Sequence, residues 1–250
     1  MEHVDVRWMS LFADVPSGDL QRAVTYWQDV TAAAAGPAQG DHGQYTPLQP
    51  VAGDPYLWLQ RVDRAAGGWH PDLHVISVAE ACDIAGALGA QVVHADDTLA
   101  VLASPSGLPF CLVREGGHER RRPAAPAWPG GLRSEVDQIC LDIPAGRFDA
   151  EAGFWATLTG WPRRHGDLPE YDILRVAEDL PLRVLLQRLG DDDSGGARAH
   201  ADLACDDRAA ETARHIASGG VVVLEAEHWT TLRDPAGLLY CITDRRPLSG

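Results

Sequence analysis

Four times along the chain, a stretch of alternating apolar and polar positions gives way to helical spacing and then to alternation again. In the second half, Gln138 to Ile143 alternates over the length of a strand, and Ala150 to Leu158 carries apolar residues at helical spacing. Tyr171 to Val176 and Leu182 to Leu189 are apolar runs bounded by turn residues, which predicts two strands. The pattern restarts at His200 to Cys205, another strand. Asp206-Asp207 can then cap a helix with carboxylate oxygens, and this helix runs to about Ser218, where Gly219-Gly220 stops it. Strands follow at Val221 to Glu225, Thr230 to Arg233 and Leu238 to Thr243. The first half repeats the scheme, with a helix from Ala79 to Leu88 and Gly89 as its stop. Each quarter reads strand, helix, strand, strand, strand.

The halves also match residue by residue. Pro16 to Cys111 returns as Pro144 to Cys241, with Trp27 and Trp155 at the same offset from the proline. His70-x-Asp72-Leu73 precedes Ser104-Pro105-x-Gly107-Leu108 by the spacing that separates His200-x-Asp202-Leu203 from Asp234-Pro235-x-Gly237-Leu238. A unit of this length is a small domain rather than a solenoid repeat. The expected boundaries are a first domain over 1–115, a linker rich in Pro, Gly and Ala over 116–132, and a second domain over 133–250.

Composition narrows the function. The formal net charge is −15, which disfavours a nucleic-acid partner. All 21 basic residues are Arg, so Schiff-base lysine chemistry is excluded. No apolar run is long enough to span a membrane, and the charged start Met1-Glu2-His3-Val4-Asp5 has no apolar leader core. Five cysteines, odd in number and without a CxxC, read as reduced thiols of a cytoplasmic protein. The acidic run Asp191-Asp192-Asp193 reads as a turn, and the Arg120–Arg122 triplet as a solvated linker face.

The strand His-x-Asp-Leu, the helix ending in Leu-Gly-Ala or Gly-Gly, and the late Asp-Pro-x-Gly occur in the same order in both halves, with Ser104 in place of the Asp in the first. This arrangement resembles the vicinal oxygen chelate superfamily of glyoxalase I, bleomycin-resistance proteins and extradiol dioxygenases. The resemblance implies an α+β fold of four βαβββ modules in two pairs. Each pair would form a cup-shaped eight-stranded mixed sheet with helices outside and a ligand within. It also implies wall positions for a metal at Ser10, Gln60, His70 and Cys111 in the first half, and at Gln138, Gln187, His200 and Cys241 in the second. Metal-dependent relatives carry two carboxylates at these positions, whereas this chain carries Gln and Cys in both halves. Neutral amides leave a divalent charge uncompensated, and a thiolate prefers soft ions, so no cofactor is expected and a divalent metal is disfavoured. Neither half offers the two-His, one-Glu set of an iron dioxygenase.

Other positions suggest a binding wall. His70 and Asp72 share a strand face, as do His200 and Asp202. Such a pair can act in acid–base catalysis, bind a polar ligand, or serve as a structural hydrogen-bonded pair. Tyr56, Trp58 and Gln60 are expected on one face with Phe12 beside Ser10, an aromatic wall suited to a flat or cationic ligand. Arg183 and Gln187 share a face in the second half, where Arg183 could hold a carboxylate or phosphate. Trp27 and Trp155 are expected in the core, and Trp229 at a hairpin rim.

The expected function is metal-free binding of a planar or cationic metabolite or antibiotic, of the resistance type. The alternatives are a lyase or isomerase of the glyoxalase type, metal-assisted or using His200 and Asp202 as an acid–base pair, and a structural module with filled cups. The expected partner is a small molecule. A monomer is favoured, because internal duplication can replace the dimer of relatives with one pair of modules.

Overall fold

The computed structural model describes residues 3–64, 66–117 and 119–247. Residues 1, 2, 65, 118 and 248–250 lie outside that description.

The first half contains β1 (Val6–Pro16), α1 (Leu20–Thr31), β2 (Ala34–Ala35), β3 (Tyr45–Gln49) and β4 (Leu57–Val62), then β5 (Gly68–Val75), α2 (Val78–Ala87), β6 (Gln91–Ala95), β7 (Leu99–Ala103) and β8 (Pro109–Arg114). The second half contains β9 (Ser134–Ile143), a short 3-10 turn, α3 (Phe148–Thr159), β10 (Arg163–His165), β11 (Tyr171–Leu174) and β12 (Arg183–Arg188). It continues with β13 (Arg198–Cys205), α4 (Arg208–Ala217), β14 (Val221–Glu225), β15 (Trp229–Arg233) and β16 (Leu239–Thr243). The strands form two eight-stranded mixed sheets with the same order, β2-β3-β4-β1-β5-β8-β7-β6 and β10-β11-β12-β9-β13-β16-β15-β14. The α+β class and the paired βαβββ modules are therefore as expected. The alternation pattern alone misses β10, a short polar edge strand of Arg163, Arg164 and His165.

Local chemistry explains the element ends. Ser77 caps α2 by accepting the Glu80 amide at 3.3 Å, and Asp207 caps α4 by accepting that of Ala210 at 3.0 Å. Gly89 and Gly219, with φ of 99° and 108°, supply the left-handed exits after these helices. In the turns before β8 and β16, Ser104 Oγ accepts the Leu108 amide at 3.0 Å, and Asp234 Oδ1 accepts the Leu238 amide at 2.9 Å. A hydroxyl and a carboxylate thus perform the same bond, which is why Ser can stand where the second copy has Asp. Asp193 likewise closes its own turn, accepting from Gly195 at 3.1 Å and from Arg198 at 2.8 Å.

The chain divides into two compact units that cut across the sequence halves. One comprises residues 1–10, 70–120 and 139–199, and the other 11–69, 121–138 and 200–250. Each therefore joins one module from each half. In the first unit, Trp155 of α3 packs edge-on to Phe110 of β8 at 5.0 Å, and its indole N–H donates to Glu151 at 2.8 Å. In the second, Trp27 of α1 packs edge-on to Tyr240 of β16 and to Trp69, each at 5.2 Å, while its N–H donates to Asp234 at 2.9 Å. A buried Trp needs an acceptor for that N–H, and in each unit a buried carboxylate supplies it.

Two of the three linker arginines are not part of a solvated face, while Arg121 is exposed. Arg120 pairs with Glu115 at 3.0 Å and Arg122 with Glu135 at 3.3 Å. Both glutamates are buried, and a buried carboxylate requires such a counter-charge.

Candidate functional site

The second compact unit gathers its polar groups around Asp202. His200 and Asp202 leave the same face of β13. Asp202 is 3% exposed and engaged at both oxygens: Gln138 Nε2 donates to Oδ2 at 2.6 Å, and His200 Nε2 lies 3.2 Å from Oδ1. An ionised carboxylate only accepts, so the Gln138 amide must turn its NH2 inward. Arg245 adds positive charge at 3.9 Å and donates to the fully buried Asp137. Burial pushes the Asp202 carboxyl up, but His200, Arg245 and Gln138 together outweigh that and hold it below its ordinary value. Cys241 on β16 is the register partner of Asp202, with Sγ 3.4 Å from Thr231 Oγ1.

The same unit holds the aromatic positions. Phe12 and Trp58 are register partners on β1 and β4, with rings stacked at 5.6 Å and 15°. Tyr45 meets Phe12 edge-on at 5.9 Å. Gln60 follows on β4, opposite Asp14 and Tyr45. The Trp58 indole N–H is buried and makes no hydrogen bond. Tyr56 lies just before β4, and its hydroxyl donates to the Val136 carbonyl at 2.6 Å. Burial and the nearby Glu135 raise its pKa, so it remains a neutral anchor tied to the backbone.

The first compact unit carries a different cluster. His70, Asp72 and His74 all leave one face of β5. His70 Nε2 lies 3.5 Å from Asp72 Oδ1, and Cys111 is the register partner of Asp72 on β8. The donor atoms of His70, Asp72 and Cys111 all fall within 4.8 Å of one another, and all three residues are buried. Ser10 Oγ sits 3.0 Å from His74 Nε2, and His74 Nδ1 lies 3.5 Å from Glu115 Oε2. Burial pushes the Glu115 carboxyl up, yet Arg120, His74 and the Gly116 amide hold it below its ordinary value. On β12, Gln187 accepts from the Cys140 thiol at 3.6 Å, with Arg183 half-buried four residues before it.

Each copy thus forms its own constellation: Gln138 and His200 around the Asp202 carboxylate, and His70, Asp72 and Cys111 in one cluster. Sequence patterns did not single out His74, Glu115, Asp137 or Arg245. The signals were present, because His74 continues the His70-x-Asp72 alternation, and Glu115 and Arg245 both stand four residues after the repeated cysteine.

A sequence profile described as "Glyoxalase-like domain" matches residues 10–113 and again 138–243. No curated protein matches the sequence. Among solved structures, a Mn(II)-bound glyoxalase from Novosphingobium aromaticivorans superposes with a TM-score of 0.65 at 17% identity, covering 97% of this chain and 83% of that one. Homoprotocatechuate 2,3-dioxygenase from Brevibacterium fuscum gives 0.67 at 14% identity, over 99% of this chain and 83% of the other. The 2,2',3-trihydroxybiphenyl 1,2-dioxygenase of Sphingomonas wittichii gives 0.59 at 14%, over 97% and 90%. At these identities the structures speak for the fold, and the duplicated profile speaks for the family: the chain is a two-domain member of the glyoxalase-like family within the vicinal oxygen chelate superfamily.

Proposed function

We propose that this protein binds a planar or cationic small molecule without a metal, as a sequestering protein of the reducing cytoplasm. The observation that carries the reading is the internal neutralisation of Asp202. Its two oxygens already face Gln138 and His200, and Arg245 stands nearby. Hydrogen-bond donors and a cation already compensate the Asp202 charge. The Phe12–Trp58 stack with Tyr45 beside it supports an aromatic or cationic ligand, and the buried Trp58 N–H offers a donor to a ligand acceptor.

A second reading rests on the first unit. His70, Asp72 and Cys111 converge closely enough to ligate an ion, and imidazole, carboxylate and thiolate together suit zinc better than manganese. It would make the protein a metal-assisted lyase or isomerase. In a metal-free lyase or isomerase, His200 and Asp202 would act as the acid–base pair.

Two measurements separate these readings. Tryptophan fluorescence titrated with planar cationic dyes is expected to saturate, and Trp58→Ala to weaken binding at least tenfold. Metal analysis of protein purified without chelator is expected to find no stoichiometric ion. A stoichiometric metal lost in Cys111→Ser or His200→Ala overturns the metal-free reading, and unchanged dye affinity in Trp58→Ala overturns the aromatic site.

A further inference from the structure

We propose that His215 makes the docking of α4 sensitive to pH: its protonation reverses a buried hydrogen-bond chain and loosens α4 from α1 and β16. The whole chain lies within the second compact unit. Glu211 is held at a pKa of about 2, so it is ionised and only accepts. His215 Nε2, 3.0 Å from Glu211 Oε1, therefore carries the ring proton, and the lone pair sits on Nδ1. Tyr240 of β16 donates to that lone pair at 2.8 Å, and Tyr26 of α1 donates in turn to the Tyr240 hydroxyl. Burial raises the pKa of both phenols, so both stay donors. Burial also pushes the fully buried His215 down and keeps its imidazole neutral at pH 7.

A proton on Nδ1 turns the acceptor of this chain into a donor. Tyr240 must then aim its hydrogen at Tyr26, and the Tyr26 hydrogen is left without an acceptor among the described residues. The new charge also lies against the Arg214 guanidinium, 3.3 Å from Nε2, and Glu211 is already bonded to Arg214. Arg214 in turn ties α4 to the end of α1, donating to the carbonyls of Asp29 at 3.1 Å and Val30 at 2.9 Å, and lies 3.5 Å over the Trp128 ring. Two further ionisable groups face the cluster. Asp234 acts on both phenols, and the Cys205 thiol, pushed up to about 12 by burial and Glu211, stays neutral.

The duplication shows that the fold does not require this chain. At the positions of Tyr26, Glu211, Arg214, His215 and Tyr240 the other copy has Phe154, Ala81, Ile84, Ala85 and Phe110. Phe110 and Phe154 meet edge-on at 6.0 Å, as an apolar counterpart of the tyrosine pair. A buried polar chain in place of a working apolar core adds a titratable group, and α2 is its built-in control.

The unfolded imidazole titrates near 6.5 and the folded one lower. Docking is therefore fully supported above pH 6.5 and weakens as pH falls towards the folded value. Over that interval the extra proton multiplies the opening constant of α4 about tenfold per pH unit. Asp234 acts in the opposite direction, because its raised pKa favours the folded state as pH falls, and Glu211 weakens the fold only below its ordinary 4.5.

The test is amide hydrogen exchange of the full chain between about pH 7.5 and 5, corrected for intrinsic exchange and read over α4 and α2. The wild type is expected to lose protection in α4 below pH 6.5 while α2 keeps its own. His215→Gln can accept from Tyr240 and donate to Glu211 but cannot titrate. Its α4 is expected to stay protected, so that the ratio of opening constants, wild type over variant, grows about tenfold per pH unit. Protection of wild-type α4 that is flat from pH 6.5 to 5, or that falls in step with α2, overturns the proposal. An equal loss in His215→Gln overturns it as well. The wild-type comparison of the two helices decides the matter even if the variant does not fold.

Discussion

Replacing Asp202 with Asn tests whether the second-unit network is held together by charge. The side chains are nearly the same size, so packing is preserved and the change is electrostatic. The carboxylate accepts from Gln138 at 2.6 Å, faces His200 at 3.2 Å and lies 3.9 Å from Arg245. Removing one partner of a buried ion pair costs about 3–5 kcal/mol when it strands the other charge. Arg245 is not stranded, because Asp137 remains bonded to it and its side chain is 26% exposed. The expected loss is therefore nearer the value of a charged hydrogen bond, about 2–3 kcal/mol. The pH dependence gives an independent check. The folded-state pKa of Asp202 is depressed, so its stabilisation is present above the ordinary value of 3.8 and is lost as pH falls through the folded value. Urea unfolding should show a lower midpoint at neutral pH with an unchanged slope, and a gap to wild type that narrows in acid. A loss below about 0.5 kcal/mol at neutral pH, or a gap that stays constant as pH falls below 3.8, would refute the argument.

Further outcomes follow from the same structure. Glu211 is buried against His215 at 3.0 Å and Arg214, which outweigh the upward push of burial and hold its pKa at about 2. Glu211→Gln should cost about 2–3 kcal/mol at neutral pH, a difference that fades between pH 4.5 and 2 and is read by thermal melts across that range. Trp27→Phe removes the donor to Asp234 and part of the ring contact with Trp69 and Tyr240, and should lower stability by about 2 kcal/mol in urea titrations. Ala32 ends α1 in the left-handed conformation at φ 54°, so Ala32→Gly should raise stability by about 0.5–1 kcal/mol despite the added backbone freedom. A melting temperature that falls instead would contradict that strain.

The duplicated alternation, the glycine stops and the His-x-Asp strands were legible along the chain because each depends on neighbours a few residues apart. Strand face and helix end follow from local periodicity and backbone sterics, so His70 with Asp72 and His200 with Asp202 could be placed on common faces without coordinates. β10 escaped because three polar residues at a sheet edge have no alternation to read. The pairing of Arg120 and Arg122 escaped for another reason: their partners, Glu115 and Glu135, are buried only once the sheets have formed. The same holds for the sites. That Asp202 is neutralised from within depends on Gln138 and Arg245 arriving from strand and tail segments far apart in sequence. That Ser10 meets His74 and Glu115 depends on the pairing of distant strands. Sequence by itself determined the repeated modules and the faces of their strands. Tertiary structure alone decided which module packs against which, because burying Trp27 and Trp155 joins each helix to strands of the opposite half.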